Sequence, residues 1–167
     1  MSTIDLDVVI IGLGPTGGTL ANLLAMSNLS ILVLEKEAGI YNLPRAVHFD
    51  DEVMRVFNTI GITKSLTKKL IINKGTKFVN EKDQLLLDWP RPKVITENGW
   101  YPSYRFHQPD LERELRKKLK SYKKVEIKQS SNVKKIINKK NEVDIIFEDI
   151  NSKKIFNIKS KYLIGCD

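Results

Sequence analysis

The chain has 167 residues, enough for one domain with a sizeable core and too few for two ordinary ones. Hydrophobic residues make up 41% and charged residues 29%, an ordinary globular composition. A single cysteine, Cys166, excludes an internal disulfide framework and a cysteine-based zinc site, and the net charge of +8 is unevenly spread.

Residues 1–110 carry 12 Lys and Arg against 12 Asp and Glu, whereas residues 111–167 carry 16 against 8. The excess is nearly all lysine, in a segment also rich in Ile and Asn. Its aromatic residues, Tyr122, Phe147, Phe156 and Tyr162, sit in no recognisable RNA-binding pattern. The segment reads as a lysine-coated, solvated surface, not as a nucleic-acid interface. Apolar runs such as residues 8–11 and 31–34 match a buried strand and fall far short of the roughly 20 residues of a membrane span. No basic region precedes the first apolar stretch, so the N-terminus predicts no signal peptide, and the cytoplasm is the expected location.

In chain order, Asp7-Val-Val-Ile-Ile11 is a β-branched run that stops at Gly12, as a strand buried on both faces does. Residues 15–26 turn helical, with Leu20, Leu23, Leu24 and Met26 on or near one stripe. Residues 30–34 predict a second buried strand ending at Glu35, which completes a βαβ unit. A loop runs through Pro44. A helix then begins near Asp50 or Asp51, with Val53, Val56, Phe57 and Ile60 as its apolar face.

Residues 76–106 contain Pro90, Pro92 and Pro102 between short apolar runs and predict short strands and loops. Residues 109–119 predict a helix with proline near its start, acids early, bases late, and Leu111, Leu115 and Leu119 four apart. Residues 125–127 predict a third buried strand. Residues 131–138, 143–148 and 154–159 predict an antiparallel meander turning near Lys140-Asn141 and Asn151-Ser152. Residues from Tyr162 onward predict another buried strand, and no linker or repeat marks a boundary within the chain. Ligands of open α/β sheets bind just past the carboxyl ends of strands, where this chain stops, so it reads as a truncated product.

Gly12-Leu-Gly14-Pro15-Thr16-Gly17 follows a predicted strand and opens a predicted helix, the context a dinucleotide loop requires. Gly12 allows the tight turn, Gly14 lets a pyrophosphate approach the backbone, and Gly17 lets helix and strand pack closely. The helix start then offers free N–H groups and partial positive charge to phosphates. Glu35, 18 residues after Gly17, ends the second strand, where a carboxylate accepts hydrogen bonds from ribose hydroxyls. Its charge repels a 2′-phosphate, which favours FAD or NAD over NADP at this loop; between FAD and NAD the loop alone does not decide.

The glycine loop, Glu35, Leu43-Pro-Arg-Ala-Val-His-Phe-Asp-Asp-Glu52, Phe106-His-Gln-Pro-Asp-Leu-Glu-Arg113 and Ile164-Gly-Cys-Asp167 occur in this order. Together they resemble the N-terminal part of the single-component flavoprotein aromatic hydroxylases, with Pro44-Arg-Ala-Val-His-Phe-Asp-Asp-Glu52 and Phe106-His-Gln-Pro109 most similar to the 3-(3-hydroxyphenyl)propionate hydroxylase branch. The resemblance spans essentially the whole chain. It implies an α/β fold, a Rossmann-type parallel sheet with a β-meander crossover, making residues 1–167 a truncated FAD-binding domain with the start of a substrate-side insertion near 76–106. It implies FAD as cofactor, NADH or NADPH as electron donor, and hydroxylation of a phenolic acid with O2.

The resemblance also implies residue roles. Gly12, Gly14, Pro15, Thr16, Gly17, Glu35 and Lys36 would hold the cofactor's pyrophosphate and ribose. Arg45 matches an arginine near the pyrophosphate and ribityl chain, though it also reads as a loop arginine paired with Asp50 or Asp51. Gln108 matches a cofactor-bonding glutamine, and also reads as a polar residue at a helix start. Asp167 matches the first residue of an Asp-Gly motif that positions FAD; the chain ends before the glycine.

No catalytic acid or base is assigned. His48 and His107 lie 59 residues apart with no ligand pattern around them, so no metal is expected, and Asp50-Asp51 reads as a helix start. No Gly-x-Ser-x-Gly elbow is present. Asn28, where a helix-closing glycine is common in the family, tolerates the left-handed conformation. Two other readings fit the same loop: a dinucleotide-binding module without catalysis, and an NAD-dependent dehydrogenase.

Overall fold

The computed structural model of the chain describes residues 6–43 and 45–167. The extreme N-terminus, read above as lacking a signal peptide, and Pro44, placed above in a loop, lie outside the described residues. The elements run β1 (Leu6–Ile11), α1 (Pro15–Ala25), β2 (Ile31–Leu34), β3 (His48–Asp50), α2 (Asp51–Ile60) and the short α3 (Thr63–Leu66). They continue with β4 (Ile71–Ile72), β5 (Gly75–Val79), β6 (Leu85–Pro90), β7 (Ser103–Arg105) and α4 (Gln108–Leu119). The chain then forms β8 (Val125–Lys128), β9 (Ser131–Asn138), β10 (Val143–Asp149) and β11 (Ile155–Gly165). Two compact units result, one from residues 1–43 and 112–167 and the other from residues 44–111.

The first unit is a Rossmann-type α/β fold. Its six strands lie in the order β8-β2-β1-β11-β10-β9. β8, β2, β1 and the second half of β11 are mutually parallel, while β11, β10 and β9 form the antiparallel meander. Strands inside such a sheet are buried on both faces, which explains their unbroken apolar runs. Val8, Ile10, Ile31 and Val33 pack with Ala21 and Ala25 of α1 and Leu119 of α4. On the other face, Val9, Leu32 and Leu34 meet Ile145 and Phe147 of the meander.

Several elements differ from the sequence reading. α1 turns Gly17, Gly18, Ala21, Asn22 and Ala25 to the interior, and Met26 is exposed. The small residues let this helix approach the sheet closely, so Leu20 and Leu24 pack only at the margin. β8 is an edge strand of intermediate burial, not a fully buried one. The two strands predicted across residues 154–167 are one strand, β11, which changes partner at Ser160. Ser160 pairs with Val143 on the antiparallel side and Leu6 on the parallel side. Tyr162, expected in the interior, is 67% exposed.

The second unit holds a three-stranded antiparallel sheet, β3-β7-β4, and the hairpin β5-β6. Asp50 caps α2 by accepting from the Val53 N–H at 3.0 Å, and Gly61 closes it at φ 84°. The helix buries Met54, Phe57 and Ile60, so that Met54, one position on, takes the place of the predicted Val53, which is exposed. Phe49 gathers the rings of Phe57, Tyr104 and Phe106, with centroids 5.1–5.6 Å away. Among the described residues no helix is long and apolar enough to cross a membrane.

Candidate functional site

The first unit gathers the glycine loop, Glu35 and Asp167 at the carboxyl ends of β1, β2 and β11. Gly12 has φ +95°, and a Cβ there would lie 2.8 Å from the Asp167 N and the Cys166 carbonyl. At Gly17 a Cβ would lie 2.0 Å from the Gly12 carbonyl oxygen. At Gly14, by contrast, a Cβ would meet nothing within 4 Å. Two glycines therefore serve close packing, and the third leaves the backbone open at the start of α1.

Pro15 occupies the first turn, no side chain caps this helix end, and no acidic residue lies in that turn. The first intrahelical bond runs from the Gly18 N–H to the Gly14 oxygen at 2.8 Å. The N–H groups of Thr16 and Gly17 thus point out of the helix end, where the helix dipole favours an anion. These features fit a pyrophosphate: an open cradle, free donors and no competing carboxylate in the turn.

Glu35 stands beside this turn with both oxygens held. Oε2 accepts from the Leu13 N–H at 2.6 Å and Oε1 from the Glu37 N–H at 2.8 Å. Each oxygen keeps a further lone pair for a hydroxyl donor. Lys36, next to it, is exposed. Leu13 also forms part of the wall of a cavity of ≈ 620 Å³, with Ile40, Val125 and Ile127 apolar and Arg116 and Lys117 cationic. Burial, and then the charge of Asp167, push the Cys166 thiol up, so it stays protonated and unreactive near neutrality.

Arg45 and Gln108 belong to the second unit, where the fold joins them. The Gln108 side-chain oxygen accepts from the Arg45 and Ala46 N–H groups, both at 2.9 Å. Gln108 is buried and the Arg45 side chain is exposed. The other polar candidates have structural partners. His48 Nε2 lies 2.6 Å from the Ser103 hydroxyl, and His107 Nδ1 lies 3.0 Å from Asp110. Asp51 accepts from Thr96 at 2.5 Å and Asn98 at 2.9 Å, bonds that hold its carboxyl below the usual range. Among the described residues no group of three His, Cys, Asp or Glu could hold a metal.

Two residues that support the loop escaped the sequence reading. Arg116 of α4 donates to the Leu13 carbonyl at 3.2 Å and pairs with Glu112, also at 3.2 Å. Asn22 of α1 donates to the Gly18 oxygen at 2.8 Å and across to the Leu115 oxygen at 3.1 Å. The four-residue spacing of Glu112 and Arg116 signalled a helical ion pair, but nothing local announced its carbonyl target.

A family described as FAD binding domain matches residues 5–167. The chain belongs to that family. Among curated relatives, it is 34% identical over 165 residues to a probable NADH-specific resorcinol 4-hydroxylase of Rhodococcus jostii, covering 96% of this chain and 30% of that protein. It is 29% identical over 163 residues to a 3-(3-hydroxy-phenyl)propionate/3-hydroxycinnamic acid hydroxylase of Mycolicibacterium gilvum, covering 98% of this chain and 28% of the relative. The chain thus spans under a third of the length of these relatives. Among solved structures, p-nitrophenol 4-monooxygenase PnpA from Pseudomonas putida superposes with a TM-score of 0.86 at 20% identity, covering 100% of this chain and 42% of that one. The flavin-dependent monooxygenase PieE gives a TM-score of 0.83 at 17% identity, covering 97% of this chain and 30% of its own. The motif resemblance to flavoprotein hydroxylases and the Rossmann-type reading both agree with these matches.

Proposed function

We propose that this chain is the FAD-binding part of an NAD(P)H- and O2-dependent cytoplasmic monooxygenase that hydroxylates a phenolic acid. The observation that carries the reading is the turn at Gly14, open at the start of α1 with the Glu35 carboxylate fixed beside it. Thr16 and Gly17 would bind the pyrophosphate through their N–H groups, and Pro15 leaves that helix end preset. Glu35 would accept the ribose hydroxyls, and Lys36 would offset phosphate charge nearby. Arg45 would pair with phosphate oxygens through its planar guanidinium. Gln108 would act by holding the 45–46 backbone, and Asp167 by placing its backbone against Gly12. Bound there, FAD would supply the redox chemistry with NADH or NADPH and O2 that side chains lack.

Titration of the chain with FAD and with NAD, followed by flavin fluorescence and by equilibrium dialysis, tests the reading. FAD is expected to bind, weakly, and more tightly than NAD; tighter NAD binding would overturn the flavoprotein assignment in favour of a dehydrogenase. The chain by itself is expected to show no substrate-dependent NADH oxidation, and robust turnover would refute that.

A further inference from the structure

The second unit contains a groove of ≈ 650 Å³ that none of the roles above uses. One wall is a face of the hairpin β5-β6. Thr76 and Trp89 are directly opposite in register, so Phe78, two residues along β5, shares their face, and Arg91, just past the end of β6, continues it. The other wall comes from β3 and β7, where His48 and Arg105 are likewise opposite. Arg91 lies over the Trp89 ring at 4.4 Å, a stacked guanidinium with its edge free to donate. Arg105 is oriented by bonds to Asn73 Oδ1 at 3.2 Å and the Gly75 oxygen at 3.3 Å. Neither arginine pairs with a carboxylate among the described residues, and no acidic side chain lines the groove.

We propose that this groove binds an aromatic carboxylate, its ring against Trp89 and Phe78 and its carboxylate on Arg105 and Arg91. Two cationic forks beside aromatic faces are complementary to a molecule with an apolar ring at one end and an anion at the other. The proposal rests on the phenolic-acid reading for its ligand class, but none of the residues that would hold the cofactor lines the groove.

The test is a titration of the chain, without FAD, by 3-(3-hydroxyphenyl)propionate and by resorcinol, read as quenching of tryptophan fluorescence and as heat. Because no flavin is present, failure here and failure of the FAD titration are independent results. The acid should bind about tenfold or more tightly than resorcinol, which lacks the carboxylate. Arg91→Gln and Arg105→Gln should each weaken the acid about tenfold, and Lys93→Gln, outside the groove, should not. Arg91 is the decisive position, because Arg105 also braces Asn73 and Gly75. Trp89→Phe should retain the heat of binding and lose most of the quenching. Equal binding of the two compounds, no binding, or an unchanged affinity in Arg91→Gln would overturn the proposal. So would a dimer at the titration concentrations that Arg91→Gln dissociates, which would make a second copy the occupant.

Discussion

Replacing Gly17 and Gly14 in turn by alanine separates the loop's packing glycine from its ligand glycine. At Gly17 the added carbon would sit 2.0 Å from the Gly12 oxygen and 3.3 Å from the Cys166 Cβ. A backbone oxygen at that distance cannot swing aside, so α1 must lift from β1. Overpacking of this kind costs about 1–3 kcal/mol, and a backbone clash belongs at the upper end. Removing a glycine from a helix returns up to about 1 kcal/mol, leaving a net loss of roughly 2 kcal/mol. For a chain of this size that is a fall in Tm of about 4–8 °C. At Gly14 the added carbon meets nothing, and φ −75° with ψ −168° suits alanine. Replacing a glycine cap by alanine costs on the order of 0.5–1 kcal/mol, less than the loss at Gly17, so Tm should move by about 1–4 °C. FAD affinity should reverse that order, because the Gly14 methyl projects into the cradle where the pyrophosphate would approach. Thermal melts without ligand and FAD titrations of both variants check this. Equal Tm losses would refute the packing argument, and undiminished FAD binding by Gly14→Ala would refute the cradle.

The remaining predictions concern charge and support. Asp7 accepts from Lys161 at 2.6 Å and from the Ser30 N–H and hydroxyl at 2.9 and 2.8 Å, which together hold its carboxyl well below the usual range. A depressed native pKa gives stability that is present above the unfolded value of about 3.9 and is lost as pH falls through the native one. Asp7→Asn should therefore lower Tm near neutrality and flatten its decline into acid; a parallel acid limb in wild type and variant would count against this. Glu35→Gln keeps the shape but replaces one acceptor with a donor facing a backbone N–H, so FAD should bind about tenfold more weakly. An unchanged affinity in dialysis would remove Glu35 from the site. Asn22→Ala deletes a buried bond from α1 to the Leu115 oxygen and should cost about 1–3 kcal/mol in urea melts, a loss absent if that bond is incidental.

What the sequence disclosed follows from how many constraints act on each segment. Residues 8–10 and 31–34 are buried on both faces, so every one of these positions had to be apolar and the strands were legible. The loop between them was legible because glycine is required by contact at Gly12 and Gly17 and by φ at Gly12. α4 was legible because one stripe of leucines, Leu111, Leu115 and Leu119, runs along its buried face. α1 misled because its buried face is made of small residues. Hydrophobicity marks leucines, whereas close packing of this helix is satisfied by Gly17 and Ala21 toward the sheet and by Gly18 against Leu115 of α4, so the leucines marked the flank.

β11 misled for the opposite reason. A strand that changes partner carries polar residues at the change, and Lys159-Ser160-Lys161 looked like a break. Ser160 is in fact fully buried, with its hydroxyl donating to the Tyr162 carbonyl at 2.9 Å, so the interruption in hydrophobicity is a satisfied polar joint inside one continuous ladder. The candidate site divides in the same way. Gly12 to Gly17 and Glu35 are set by a local βαβ geometry that a short motif can encode. The bonds from Arg45 and Ala46 to Gln108, and from Arg116 to Leu13, join residues that the motifs could place in order but not in contact. Those long-range bonds determine what each side chain has left to offer a ligand. Gln108 shows the consequence: its oxygen already accepts two backbone N–H groups, so a cofactor's donor would have to compete with them for that atom, whereas the Glu35 oxygens each accept only one.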